Sequence, residues 1–234
     1  MLTPQQLAQK YPTPDPSHSS WVGGMFGRTP RALDPEWQPT GHEAKRLVAA
    51  HEAVTTAWTS IYQHNVRALS NELLTPAARR KSAAELAQTT MAKALKHADA
   101  VLQEVASELP VIQYRTQQRM APLSAADTAL DTELRTFLRM CDSETRARVL
   151  QSDERALRAA AYAPAELSGL TPALHAHARE TWLKAHHPTD LQAEKDTLLG
   201  LELVAKARAA LKQHVEDFID LGAANIGQSD NPQA

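Results

Sequence analysis

From about residue 41 onward, apolar residues recur along this chain at steps of three and four. That spacing places side chains on one face of an α-helix, whereas a half-buried strand would alternate. Leu47, Ala50, Val54, Trp58, Ile61, Leu69 and Leu73 form the first stripe, interrupted by one polar residue, Asn65, and predict a helix over about residues 41–74. Thr40 and Glu43 mark its start, spaced as a capping box in which hydroxyl and carboxylate satisfy two orphaned backbone amides. Thr75 and Pro76 predict the next start, because proline at the first helical position lacks an amide that would have no helical partner. Met91, Leu95, Ala98, Leu102, Val105 and Leu109 then alternate steps of four and three, the spacing of a bundle seam. Pro110 is expected to stop this second helix.

Residues 111–121 carry no clear period. Ser124 and Asp127 form a cap that opens a helix through Leu134, Phe137, Leu138 and Cys141. Asp142 and Ser143 open another, running through Val149, Leu150 and Leu157 and ending by Pro164. Thr171 and Pro172 begin a helix reaching His186 and His187, and Thr189 with Gln192 reads as the box that opens a long last helix. The seam of that helix is Leu198, Leu201, Val204, Ala207, Leu211, Val215 and Phe218, and Gly222 is expected to end it. No fixed-period repeat is present, which disfavours a solenoid. The expected fold is all-α: a helical bundle of two long and several short helices over residues 40–222. An extended proline-rich arm over 1–39 precedes it, and a disordered polar tail over 223–234 follows.

Composition strengthens the helical reading. The 234 residues include 41 alanines but only 5% aromatics, and alanine is the strongest helix former, whereas aromatic and β-branched residues favour strands. The formal net charge of -2 provides no global field toward nucleic acid or an anionic membrane, so any such binding must be local. No stretch approaches the ~18 uninterrupted apolar residues of a membrane span. A single cysteine, Cys141, cannot form an internal disulfide, and no basic segment followed by an apolar one opens the chain. A reducing, cytoplasmic compartment is therefore expected.

The arm departs from ordinary disordered sequence. Seven of the 14 prolines lie in it, with Gly23, Gly24 and Gly27, so beyond a short helix over Thr3–Lys10 regular structure is blocked. Yet it carries Tyr11, Trp21, Phe26 and Trp37, residues in which disordered tails are depleted. Burying one aromatic contributes roughly 2–3 kcal/mol, while ordering each residue costs about 1–2 kcal/mol. A few anchors cannot hold the whole arm, so only their neighbourhoods order or a partner supplies continuous hydrogen bonds. Docking on a neighbouring subunit or another protein is favoured over folding back.

Two charge clusters sit at the wrong helix ends. Arg79, Arg80 and Lys81 occupy the first turns of the second helix, where the dipole prefers anions; Glu216, Asp217 and Asp220 crowd the end of the last, where it prefers cations. They are expected to meet each other or a charged partner. A nucleic-acid or regulatory module using Arg79, Arg80, Lys81, Lys93 and Lys96 is the alternative reading, opposed by the near-neutral charge and the lack of a clear helix-turn-helix.

Signals for chemistry are weak. His175 and His177 lie roughly 200° apart around a helix and face different ways, unlike the i, i+4 pair of a zinc helix. His186 and His187 suit a helix C-terminus, where the dipole favours them. Cys141 reads as a small buried hydrophobe, and the Gly23–Arg28 segment lacks the Lys and Ser/Thr of a phosphate loop. No catalytic residue, cofactor or metal is expected, and an enzyme is not the reading favoured.

The stretch from Val149 to Asp153 and from Ala161 to Leu170, followed by a charged helix into Leu203, resembles uncharacterised helical proteins encoded in the structural gene clusters of tailed bacteriophages. The resemblance covers about residues 149–203 and transfers no functional residue. It implies a non-enzymatic structural or assembly component of a virion, associated with capsid, portal or neck. The protein is expected to be homo-oligomeric, to be found in the cytoplasm of a bacterial host or in the virion, and to have other virion proteins and its own copies as partners. Tyr11, Trp21, Phe26, Trp37 and the two charge clusters are the candidate partner-binding residues.

Overall fold

The computed structural model describes residues 39–225, which contain seven α-helices, two short 3-10 helices and no strand. These are α1 (His42–Ser70), α2 (Pro76–Gln118), α3 (Ala125–Met140), α4 (Ser143–Ser152), α5 (Glu154–Tyr162), α6 (Pro172–His186) and α7 (Pro188–Phe218). The 3-10 helices are Ala165–Ser168 and Leu221–Asn225. The all-α expectation holds. The anchors of the arm, Tyr11, Trp21, Phe26 and Trp37, lie outside the described residues, as does the tail beyond 225.

The chain divides into two compact units, with boundaries between Ala106 and Ser107 in α2 and between Asp196 and Thr197 in α7. In the first unit, α1 and the adjoining parts of α2 and α7 share one core around Leu47, Val54, Trp58, Val105, Val204 and Leu211. Arg46 pairs with Glu104 and His64 meets Ser82, so α1 and α2 run antiparallel. Leu47 packs on Gly200 and Trp58 on Phe218, so α7 returns parallel to α1. A Cβ on Gly200 would lie 2.9 Å from two carbons of the fully buried Leu47, which explains a glycine inside a helix. The seam of α2 is built mainly of Ala84, Ala87, Ala94, Ala98 and Val105, with the predicted Met91, Leu95 and Leu102 packed only partly buried against it. Small residues let helices approach closely, so the contact line runs through alanines that a search for large side chains passes over.

Several predicted boundaries move. Gly41, at φ 91°, is the N-cap of α1 and has no side chain to cap with, which displaces the expected box at Thr40. Asn65 is 4% exposed and continues the buried stripe, whereas Leu73 is 95% exposed beyond the helix end. Helix α2 begins as predicted, with the Ala78 amide donating to Thr75 Oγ1 at 3.2 Å, but it runs through Pro110 to Gln118. Pro110 and Ala106 are both at exposed positions, where a carbonyl that proline leaves without a helical donor costs least. Gly222 lies in the final 3-10 helix, α7 having already ended at Phe218. Ala223 and Ala224 are buried there, against the expected start of the tail.

The second unit is built around α5, which packs on α3, α4 and α6. Its Ala156, Ala159, Ala160 and Ala161 are fully buried, and larger residues from its neighbours close over them: Leu138, Leu150 and Leu170 on one side, Met120, Trp182 and Leu183 on the other. The single helix expected between Asp142 and Pro164 is two, because the Asp153 side chain accepts from the Ala156 amide and starts α5 as α4 ends. Ser124 caps α3 and Thr171 caps α6 as predicted. Thr189 falls inside the first turn of α7, which starts at Pro188, and Gln192 donates instead to Asp196 at 2.7 Å.

Candidate interaction surface on helix α3

Helix α3 carries two different faces. Inward, Asp131 is fully buried and accepts two 2.9 Å hydrogen bonds from Arg158 of α5, with Arg155 Nε at 3.3 Å. Arg155 also reaches Asp127 at 2.6 Å. Hydrogen bonds from the Ser124 hydroxyl and the Arg155 guanidinium hold the Asp127 carboxyl below its ordinary range. Arg146 closes the far end of the helix, donating to the carbonyls of Leu138, Cys141 and Gly169 at 2.7–2.8 Å. These charge-assisted bonds fix α3 in orientation and leave its inner polar groups paired.

Outward, Ala126, Leu130, Glu133, Phe137 and Met140 are all exposed and follow one another at steps of four, three, four and three. That is the spacing of a helix–helix contact line. Leu130 is 47%, Phe137 51% and Met140 81% exposed. Beside them lies a shallow groove of about 420 Å³ lined by Leu130, Glu133, Leu134, Phe137, Asp153 and Arg155. The surface can hold an apolar segment, and Glu133 adds a carboxylate at its centre that makes no ion pair among the described residues. Cys141 is the C-cap of α3 and only half-buried, which corrects the expectation of a buried helical thiol.

Within the described chain, Arg79 of the predicted basic cluster has a local role. Arg79 donates to the Leu74 carbonyl at 2.9 Å and to the Leu69 carbonyl at 3.2 Å, closing the C-terminal end of α1. Because α1 and α2 are antiparallel and joined by a short turn, the start of α2 lies beside the end of α1, whose dipole favours a cation. Lys81 lies 4.0 Å from Glu85 one turn on, and Arg80 makes a long contact to the Pro76 carbonyl. Glu216, Asp217 and Asp220 are exposed, and among the described residues no ion pair joins them to Arg79, Arg80 or Lys81.

His175 and His186 serve local structure. His175 meets the Ala163 carbonyl at 2.9 Å, and His186 stacks on Trp182 with Glu154 at 3.0 Å. Among the described residues no group of three metal-ligating side chains converges, and no helix is long and apolar enough to cross a membrane.

The fold and this surface define an all-α protein with an outward-facing helical contact line. No family model, curated protein or solved structure matches the chain significantly.

Proposed function

We propose that the protein is a non-enzymatic structural or assembly component of a tailed-phage particle, associated with capsid, portal or neck. It is homo-oligomeric and uses its N-terminal arm to bind neighbouring subunits and other virion proteins. The observation that carries the assembly role is the contrast within α3, whose inner acids are closed by arginines while Leu130, Phe137 and Met140 face outward. A line of large exposed apolar groups on a helix held in place by ion pairs is suited to a protein–protein contact. The phage setting rests on the sequence resemblance over residues 149–203. Against the nucleic-acid alternative, the Arg79 guanidinium is already engaged by two backbone carbonyls.

The test is mass by light scattering for the full chain and for its Trp21→Ala, Trp37→Ala double variant. The native chain is expected to form oligomers of its 25.6 kDa protomer, and the variant to shift toward that mass with helix content unchanged. Equal masses for the two would overturn the arm's role. Tight DNA binding that weakens steeply with salt would favour the alternative.

A further inference from the structure

We infer that the outward face of α3 is the receptor for the Trp21–Arg31 segment of the N-terminal arm of a second copy of this chain. The inference deepens the tethering reading above and rests on it. Three occupants from the chain itself can be compared. A second α3 would match in apolar character, but symmetric pairing about the centre of the contact line sets Glu133 against its own counterpart, and like charges there oppose association. Residues 226–234 contain Ile226 as their one large apolar group and no lysine or arginine. The arm differs from both. Between Asp15 and Asp34 it has no acidic residue, and within that interval Trp21, Phe26, Arg28 and Arg31 follow in close order.

That composition complements the surface feature by feature. Leu130, Leu134 and Phe137 offer apolar contact to Trp21 and Phe26, while the groove-lining Glu133 and Asp153 offer negative charge to Arg28 and Arg31. Arg155, which also lines the groove, is held by Asp127 and Asp131 and so does not repel a cationic segment as a free guanidinium would. Pro30 lowers the entropy lost when the segment is ordered, and the glycines at 23, 24 and 27 let its backbone approach a helix closely. Reach sets how near the two copies must lie: residues 32–38, which join this segment to the described part of its own chain, span on the order of 25 Å when extended.

The experiment places p-benzoylphenylalanine at exposed position 137 of the full chain, mixes isotopically heavy and light copies, and irradiates. The expected product is a heavy–light adduct whose crosslinked peptide maps between residues 16 and 33. Glu133→Lys should lower its yield several-fold with unchanged circular dichroism, and Arg28→Glu with Arg31→Glu in the same chain should restore part of it. An adduct confined to single chains overturns the assignment to a second copy. Adducts mapping elsewhere, or a yield indifferent to Glu133→Lys, overturn the receptor site. If the adduct is absent while the arm tryptophan variant still lowers the oligomer mass, the receptor is wrong and the tether stands. If that variant leaves the mass unchanged as well, both fail.

Discussion

Asp131 is the residue whose loss should be felt most. It is fully buried, and its carboxylate is the only group on α3 that receives both Arg155 and Arg158. Replacing it by alanine leaves the largely buried Arg158 without its carboxylate, while Arg155 keeps Asp127, and truncating one partner of such a buried pair costs about 3 kcal/mol or more. Asp131→Ala is therefore expected to lower the urea midpoint strongly, and Asp131→Asn to do so less. At Gly169 the constraint is in the backbone. Its φ of 64° suits glycine, and a Cβ there would lie 3.2 Å from Arg139 Cα. Gly169→Val should destabilise by about 1–3 kcal/mol, read as a fall in melting temperature. Around this turn Leu170 and Ser168 are buried, whereas Leu167 is 48% exposed.

At the scale of elements, α2 is the instructive case. It continues for 43 residues across a proline that alone would be expected to end it. The cost of that proline is local: one hydrogen bond to the Ala106 carbonyl is lost and the ring crowds the preceding turn. Helix on both sides, anchored in one direction by Ala98 and Val105 and in the other by Thr116 and Gln117, carries the backbone through. Pro110→Ala should restore the bond at an exposed position and raise stability by about 1–3 kcal/mol, measured by chemical denaturation. An unchanged midpoint would mean that the surrounding helix has already relaxed around the ring. The α3 cap illustrates the opposite situation, in which a local signal suffices: Ser124 Oγ accepts from the Asp127 amide at 3.1 Å and donates to its carboxylate at 2.7 Å.

For the whole molecule, the ionisable groups predict an acid profile with two parts. Burial lowers the pKa of His51 on α1 from its ordinary 6.5. Between that lowered value and 6.5 the unfolded chain binds more protons than the folded one, so stability is full above pH 6.5 and falls as the pH drops below it. His51→Gln should remove this part. The carboxyls of Asp127, Asp142 and Glu180 are depressed, chiefly by hydrogen bonds from Ser124, Thr145 and Lys195 respectively. Their contribution persists at neutral pH and is lost only as the pH falls below the ordinary carboxyl values of 3.8–4.5 toward their lower folded ones. Urea midpoints for the native chain and His51→Gln, measured above and below pH 6.5, should converge at the higher pH.

Stripes such as Leu47 to Ile61 and Val204 to Val215, and caps such as Ser124, Asp142 and Thr171, carry their structural meaning within a few neighbouring residues. These let the sequence by itself determine the helical class and most helix starts. Leu130, Phe137 and Met140 have the same helical period as core residues, and only the packing of α5 against the other side of α3 decides that they face outward. Tertiary structure alone likewise decides that Arg155 and Arg158 meet Asp131, that Arg79 closes the preceding helix, and that alanines form the α2 seam. The physical reason is range. Caps and apolar periodicity act over one or two helical turns, whereas burial and ion pairing depend on which surfaces of distant segments meet, and a linear pattern of side chains does not encode that choice locally.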